Sequence, residues 1–214
     1  MGREQHAAWM ERTGLVAIVR LDSAGELVQV AKAIAAGGVS VIEFTMTTPG
    51  ALRTIEESSK ALGGEVLIGA GTVLDAETAR AAILAGAEFI VAPTLNPEVI
   101  EICHRYDKVV VPGAYTPTEI LTAWELGADF VKLFPAEVGG PAYLKAVRAP
   151  LPQVKLMAVG GVTVENAASF IRAGAVALGI GSNLVNKKVV AEGRFAELTA
   201  TARALSQAVQ EARK

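Results

Sequence analysis

Cysteine is almost missing from this sequence, with Cys103 the only one in 214 residues. No disulfide can close within the chain and no zinc site can be assembled from thiolates, so a reducing compartment is expected. Histidine is nearly as scarce: His6 and His104 both fall in stretches that read as helix, and no His, Asp and Glu group has metal-ligand spacing. Neither a metal nor another cofactor is implied. Net charge is also lacking, since 20 basic and 22 acidic residues leave only -2 at pH 7. That balance gives no overall attraction to nucleic acid or to an anionic membrane, and any recognition of an anion has to be local. No uninterrupted apolar run approaches the roughly 18 residues of a membrane span. The opening "MGREQHAAWMERTG" lacks the apolar core of a signal peptide, and His6 stands where a myristoylation signal wants Ser or Thr. A cytoplasmic protein with no membrane and no nucleic-acid partner is expected.

What is present is a repeat. The phrases "AAGGVSVIEF", "LAGAEFIVAP", "ELGADFVKLF" and "RAGAVALGIG" each read as a helix end, a glycine and a strand, with Gly37, Gly86, Gly127 and Gly174 at intervals of 40 to 50 residues. The glycine is expected to supply the left-handed residue that stops the helix, and the β-branched run after it suits a parallel strand covered on both faces. Filling the gaps predicts eight strands, near 16–20, 41–45, 66–70, 89–93, 109–112, 130–134, 155–159 and 176–180. Helical runs lie between them, with Ser23, Asp75, Thr116 and Thr163 as N-caps. The hydrophobic share of 51% is enough for a full core, and no Pro/Ser-rich linker or charge block divides the chain. One α/β domain over 1–214 is expected, a (β/α)8 TIM barrel with flanking N- and C-terminal helices. A doubly wound open sheet is the alternative.

Two charges interrupt this apolar pattern. In "GADFVKLFPAE", Lys132 shares a strand face with Phe130 and Phe134; in "VSVIEFTMTTP", Glu43 shares one with Val41 and Thr45. A lysine inside a barrel mouth loses water, which lowers its pKa toward the range where a free amine attacks a carbonyl. It could instead snorkel outward, or simply pair with Glu43, which is otherwise a candidate general base. Lys155 opens its strand and belongs at the opposite end. Glycine-rich turns follow the last two strands, "VGGVT" and "GIGS". Exposed backbone N–H groups there make Gly160, Gly161, Gly181 and Ser182 a candidate phosphate cradle, the plainer alternative being tight turns. A phosphosugar isomerase or epimerase, or a non-catalytic sugar-phosphate binding barrel, would use the same turns.

From "GLVAIVR" to "GIGSNLV" the chain resembles the class I pyruvate aldolases that act on 2-keto-3-deoxy-6-phosphogluconate and 2-keto-4-hydroxyglutarate. The motifs "IEFTMTTP", "IGAGTVL", "FIVAPTLNPEV", "VPGAYTPTEI", "VKLFPAEVGGP" and "AVGGVTVENA" occur in that family's order and spacing. The resemblance implies a lyase in which Lys132 is the Schiff-base residue and Glu43 the acid/base carboxylate. It also implies that Thr72 holds the pyruvate carboxylate, that Pro93 and Phe134 line the imine pocket, and that Gly160, Gly161, Gly181 and Ser182 take the phosphate. Arg20 is a further anion contact. Two positions depart from the common pattern: Thr47 stands where many members have arginine, and Val159 where phosphogluconate-type members have threonine. The similar "AVGG" occurs in the branch acting on the galactonate epimer, so Val159 bears on stereochemical preference. A small 2-keto-acid partner, no cofactor and a homotrimer are what the family leads one to expect.

Overall fold

The computed structural model describes residues 1–21 and 26–214. The strands are β1 (Leu15–Val19), β2 (Val41–Thr45), β3 (Leu67–Gly71), β4 (Phe89–Val91), β5 (Val109–Val111), β6 (Gly113–Ala114), β7 (Val131–Leu133), β8 (Leu156–Val159) and β9 (Ala177–Ile180). The helices are α1 (Arg3–Thr13), α2 (Leu27–Ala36), α3 (Ala51–Leu62), α4 (Ala76–Leu84), α5 (Pro97–Arg105), α6 (Pro117–Glu125), α7 (Gly140–Arg148), α8 (Val164–Arg172), α9 (Lys187–Ala191) and α10 (Phe195–Ala212). All strand pairs are parallel, in the order β5-β4-β3-β2-β1-β9-β8-β7-β6.

Among the described residues nine strand segments replace the eight expected, and the reason is Pro112. Proline has no N–H to give to a ladder, so the fifth strand is cut into β5, which pairs with β4, and β6, which pairs with β7. The proline closes the ring nonetheless, because its carbonyl accepts the Lys132 N–H at 2.9 Å. The two segments act as one strand of a (β/α)8 barrel, which leaves no long edge exposed.

Alternation along the strands creates two cores. Outward side chains such as Val131 and Leu133 pack under the helices, while Val16, Val41, Leu67, Phe89, Val109, Phe130 and Met157 fill the barrel interior. Met10 of α1 belongs to the interior cluster and is fully buried, so α1 forms the floor. Ion pairs fasten it there: Arg3 Nε lies 2.9 Å from Asp129 and Glu11 lies 2.6 Å from Lys155. Lys155 is therefore at the floor, opposite to the mouth.

Asp75, Thr116 and Thr163 cap α4, α6 and α8 through their side chains, whereas Ser23 lies outside the described residues. Of the four repeat glycines, Gly86, Gly127 and Gly174 have positive φ, but in the first unit the left-handed residue is Gly38, with φ 96°. Gly37 has φ -84° and is small for another reason: a Cβ there would meet Ala202 of α10 and lie 2.6 Å from the Thr199 carbonyl.

Candidate active site

The C-terminal ends of the strands surround a cavity of about 790 Å³. Lys132 points into it from the middle of β7 and is only 6% exposed, while Glu43 points into it from β2 and is 1% exposed. Burial lowers the Lys132 pKa; Glu43 partly offsets that effect and Arg20 reinforces it. Burial also raises the Glu43 carboxyl to about 7, against the opposing pull of Lys132 and then of Arg20. Both shifts favour the uncharged form, and the Glu43 carboxyl is set to exchange its proton near neutral pH.

The ion-pair alternative does not describe this pair. Among the described residues no salt bridge joins Lys132 to Glu43, and Glu43 Oε2 is buried without a hydrogen-bond partner. An orphaned carboxylate oxygen is costly, and such oxygens persist where a substrate or water is to be met. The neighbouring strand makes room for it, since a Cβ at Gly71 of β3 would collide with Glu43 Oε1. Lys132 Nζ lies 4.8 Å from the centroid of the Phe134 ring, and Phe134 is 38% exposed at the mouth. An aromatic face beside the amine favours its cationic states, including an iminium formed from it.

Around these two groups the wall is divided by chemistry. Pro93, Val159 and Ile18 supply apolar surface. On the side of the first and third strands, Arg20 Nη2 donates to Thr72 Oγ1 at 3.4 Å. Thr72 holds φ 58°, a left-handed conformation that a β-branched residue adopts only under strain. The result is a hydroxyl and a guanidinium set together at the rim, a combination suited to a carboxylate.

Next to the first strand, in the order β1-β9-β8, lie the turns after β8 and β9. Gly160 and Gly161 have φ 103° and 66°, and a Cβ at Gly161 would lie 2.5 Å from Glu137 Cβ, so both the backbone and the space require glycine. Gly181 differs, for its φ is not left-handed and a Cβ there would meet nothing within 4 Å. Among the described residues no contact explains the missing side chain, and the position opens onto the cavity. Among the described residues, the N–H groups of Val162 and Ser182 find no protein acceptor. Unpaired backbone donors of this kind are what an anion can use, and Glu137 and Lys187 line the same part of the cavity.

Of the twelve residues singled out in the sequence, eleven line the cavity: Lys132, Glu43, Arg20, Thr72, Pro93, Phe134, Val159, Gly160, Gly161, Gly181 and Ser182. Thr47 does not. It is exposed beyond β2, and its hydroxyl donates to Thr45 Oγ1 at 3.1 Å. Sequence reasoning missed Glu137, Asn183, Asn186 and Lys187, all of which line the cavity. It also missed Ile18 and Gly179, although alternation from Val16 and Ala177 was a usable signal for both.

Among the described residues no group of three or more His, Cys, Asp or Glu could hold a metal ion, and no helix is long and apolar enough to cross a membrane. A parallel barrel with a dry amine and a dry carboxyl at its C-terminal mouth has the arrangement of an enzyme that works on a carbonyl. The family model described as KDPG and KHG aldolase matches residues 7–201. The chain belongs to that family and is a carbon–carbon lyase. It is 37% identical over 203 residues to the 2-dehydro-3-deoxy-6-phosphogalactonate aldolase of Escherichia coli, covering 94% of this chain and 99% of that one. It is 35% identical over 201 residues to the 2-dehydro-3-deoxy-phosphogluconate aldolase of Treponema pallidum, covering 94% and 95%. Among solved structures, the KDPG aldolase of Legionella pneumophila, with pyruvate captured as a covalent carbinolamine, superposes with a TM-score of 0.87 at 26% identity over 93% of this chain and 97% of that one.

Proposed function

We propose that this chain cleaves a 2-keto-3-deoxy-6-phosphosugar acid, the gluconate or its galactonate epimer, to pyruvate and glyceraldehyde 3-phosphate through a Schiff base on Lys132. The observation that carries the reading is the burial of Lys132 with its lowered pKa, opposite a carboxyl oxygen that has no partner of its own. The carbinolamine in the Legionella relative is the kind of adduct such an amine forms.

In this mechanism the lone pair of neutral Lys132 Nζ adds to the C2 ketone; protonated Glu43 then gives its proton to the carbinolamine hydroxyl, which leaves as water, so that a protonated imine and an ionised Glu43 remain. Ionised Glu43 then takes the C4 hydroxyl proton while the C3–C4 bond breaks. The bonding pair moves to C3 and on to the iminium, giving an enamine, and glyceraldehyde 3-phosphate departs. The proton held by Glu43 returns to C3, and water hydrolyses the imine to release pyruvate and the free amine. Thr72 and Arg20 hold the carboxylate end; Gly160, Gly161, Gly181 and Ser182 hold the phosphate end. An unphosphorylated acid, 4-hydroxy-2-oxoglutarate, fits the same chemistry with glyoxylate as the second product.

Val159 decides between epimers. It is 4% exposed and offers a methyl where a hydroxyl could bond a sugar oxygen. The loss of one such bond is worth on the order of 1 kcal/mol, about fivefold to tenfold in rate. The gluconate epimer accordingly loses that advantage, and the galactonate epimer is turned over at least comparably. Side-by-side kcat/KM values for both epimers and for 4-hydroxy-2-oxoglutarate test this; a preference for the gluconate epimer of about tenfold or more would remove Val159 from specificity, and no pyruvate from any of them would remove the aldolase reading.

The same reading places the protein in the cytoplasm, where phosphorylated sugar acids are made and where a lone buried thiol such as Cys103 stays reduced. It also favours a homotrimer. The exposed apolar side chains Leu74 (55%), Leu84 (70%) and Val138 (70%) are surface that subunit contact would cover. Sedimentation equilibrium is expected to give three times the 22.2 kDa chain mass, and a monomer mass at micromolar concentration would reject it.

A further inference from the structure

We propose that Asn183 and Asn166 are positioning residues that lock the turns after β8 and β9 into one preformed phosphate cradle. The inference rests on the proposed use of that cradle for the phosphate end of the substrate. Neither asparagine stands out in the sequence, and neither reaches Lys132 or Glu43 through a hydrogen bond.

The two amides hold consecutive carbonyls of one turn. Asn166 Nδ2 donates to the Gly161 carbonyl at 2.9 Å, and Asn183 Nδ2 donates to the Val162 carbonyl at 2.8 Å. Asn166 uses its other end as well, since its Oδ1 accepts the Thr163 N–H at 2.8 Å while its own N–H donates to Thr163 Oγ1 at 3.4 Å. Capping boxes commonly place Glu or Gln at this third helical position, where an acceptor is all the box requires. Here the residue must accept and donate at once over a short reach, and the asparagine amide does both.

The consequence is geometric. The C=O of one peptide unit and the N–H that follows it lie in one plane and point in opposite directions. Fixing the Gly161 carbonyl on Asn166 therefore fixes the Val162 N–H to point away from the start of α8. That N–H is one of the donors with no acceptor among the described residues. Gly160 and Gly161, both left-handed, are the residues most able to let such a turn reorient, so an unpinned turn would sample other conformations. Asn183 adds the second constraint: it belongs to the β9 turn, beside Gly181 and Ser182, yet bonds to the β8 turn. Donors from two different β/α units are thereby held in fixed relation before any ligand arrives, which spares the ligand the entropy of ordering them.

The test uses inorganic phosphate as the probe, titrated calorimetrically into the full chain and its Asn183→Ala and Asn183→Ser variants. Affinity is expected to fall about tenfold in each, the loss of one preorganised bond. In steady state, KM for the phosphorylated acid should rise while kcat holds within about twofold. The ratio of kcat/KM for phosphorylated over unphosphorylated 2-keto acid should therefore fall about tenfold. Asn166→Ser adds no charge but is too short to reach the Gly161 carbonyl, and it should show the same shift; it serves as the reporter if the Asn183 variants do not fold. Equal phosphate affinity in wild type and variants, equal losses for both substrates, or no phosphate binding by the wild type would each overturn the proposal. A separate measurement, borohydride trapping of pyruvate on wild-type Lys132, reports on the aldolase reading: absence of an adduct with phosphate binding and its Asn183 dependence intact would sink that reading and leave the locked cradle standing.

Discussion

Replacing Lys132 with alanine, methionine or arginine is expected to abolish pyruvate release, and borohydride with pyruvate should add mass to the wild-type chain but to none of the three. Arginine is the most informative of them. It retains a positive charge at the site, yet its guanidinium stays protonated at any working pH and cannot attack a ketone. If the role of Lys132 were electrostatic, Lys132→Arg would keep appreciable turnover; if it is covalent, the arginine variant is as inactive as the alanine. Methionine isolates a different quantity, because it keeps most of the volume while removing the buried amine. The folded state holds the amine below its ordinary pKa of 10.5, so fewer protons are bound folded than unfolded between the two values. Stability therefore rises with pH through that window, and the penalty is fully present only below the folded pKa. Lys132→Met should accordingly be at least as stable as the wild type at mildly acid pH, with the difference disappearing as pH approaches 10.5. Loss of activity alongside undiminished stability would separate chemistry from folding. Wild-type turnover in Lys132→Ala would end the Schiff-base mechanism outright.

How the barrel and its site could be read in advance depended on what kind of physics placed each part. The barrel was legible because β-branched strands covered on both faces, helix-stopping glycines and capped helix starts leave local marks at a regular interval. Asp75, Thr116 and Thr163 cap the helices at the positions where they were expected. Lys132 and Glu43 were legible for the opposite reason, as charges where the pattern calls for apolar side chains. The strand break at Pro112 is readable in principle, since a proline inside a β-branched run is a local warning. Gly37 could not have been read correctly, since its smallness answers to Ala202, 165 positions away on α10. Thr47 shows the limit of reasoning by position. The chain bends after β2 so that its hydroxyl turns back to Thr45, and a residue two places from the strand end falls outside the cavity. Asn183 does not show because polar residues in turns are ordinary, and only the packing of neighbouring β/α units gives it a task.

Glu43→Gln is expected to slow turnover by about 10² to 10⁴, the usual range for removing a general acid–base group, while the pyruvate adduct on Lys132 still forms and is still trapped. Glutamine preserves length and shape in the pocket that Gly71 leaves open, so the loss reports on the proton and not on packing. Gly71→Ala provides the complementary case, in which the carboxyl is retained but its Oε1 is displaced. A partial loss there, with Glu43→Gln near the floor, would tie the rate to the position of that oxygen. The pH dependence carries the stronger test. Cleavage needs Glu43 ionised, so wild-type kcat/KM should fall on the acid side around the raised value of about 7, and that limb should vanish in Glu43→Gln. Stability must move the other way. Because the folded carboxyl binds its proton more tightly than the ordinary 4.5, wild-type stability falls as pH rises from 4.5 toward 7, and the full penalty remains above that. A rise of this size corresponds to a penalty on the order of 3 kcal/mol. Glu43→Gln should therefore be more stable than the wild type at pH 8 by up to about that amount and show little or no such advantage near pH 4. An unchanged rate, or a stability gain larger in acid than in base, would mean that the carboxyl is neither the proton carrier nor the strained group that its burial implies.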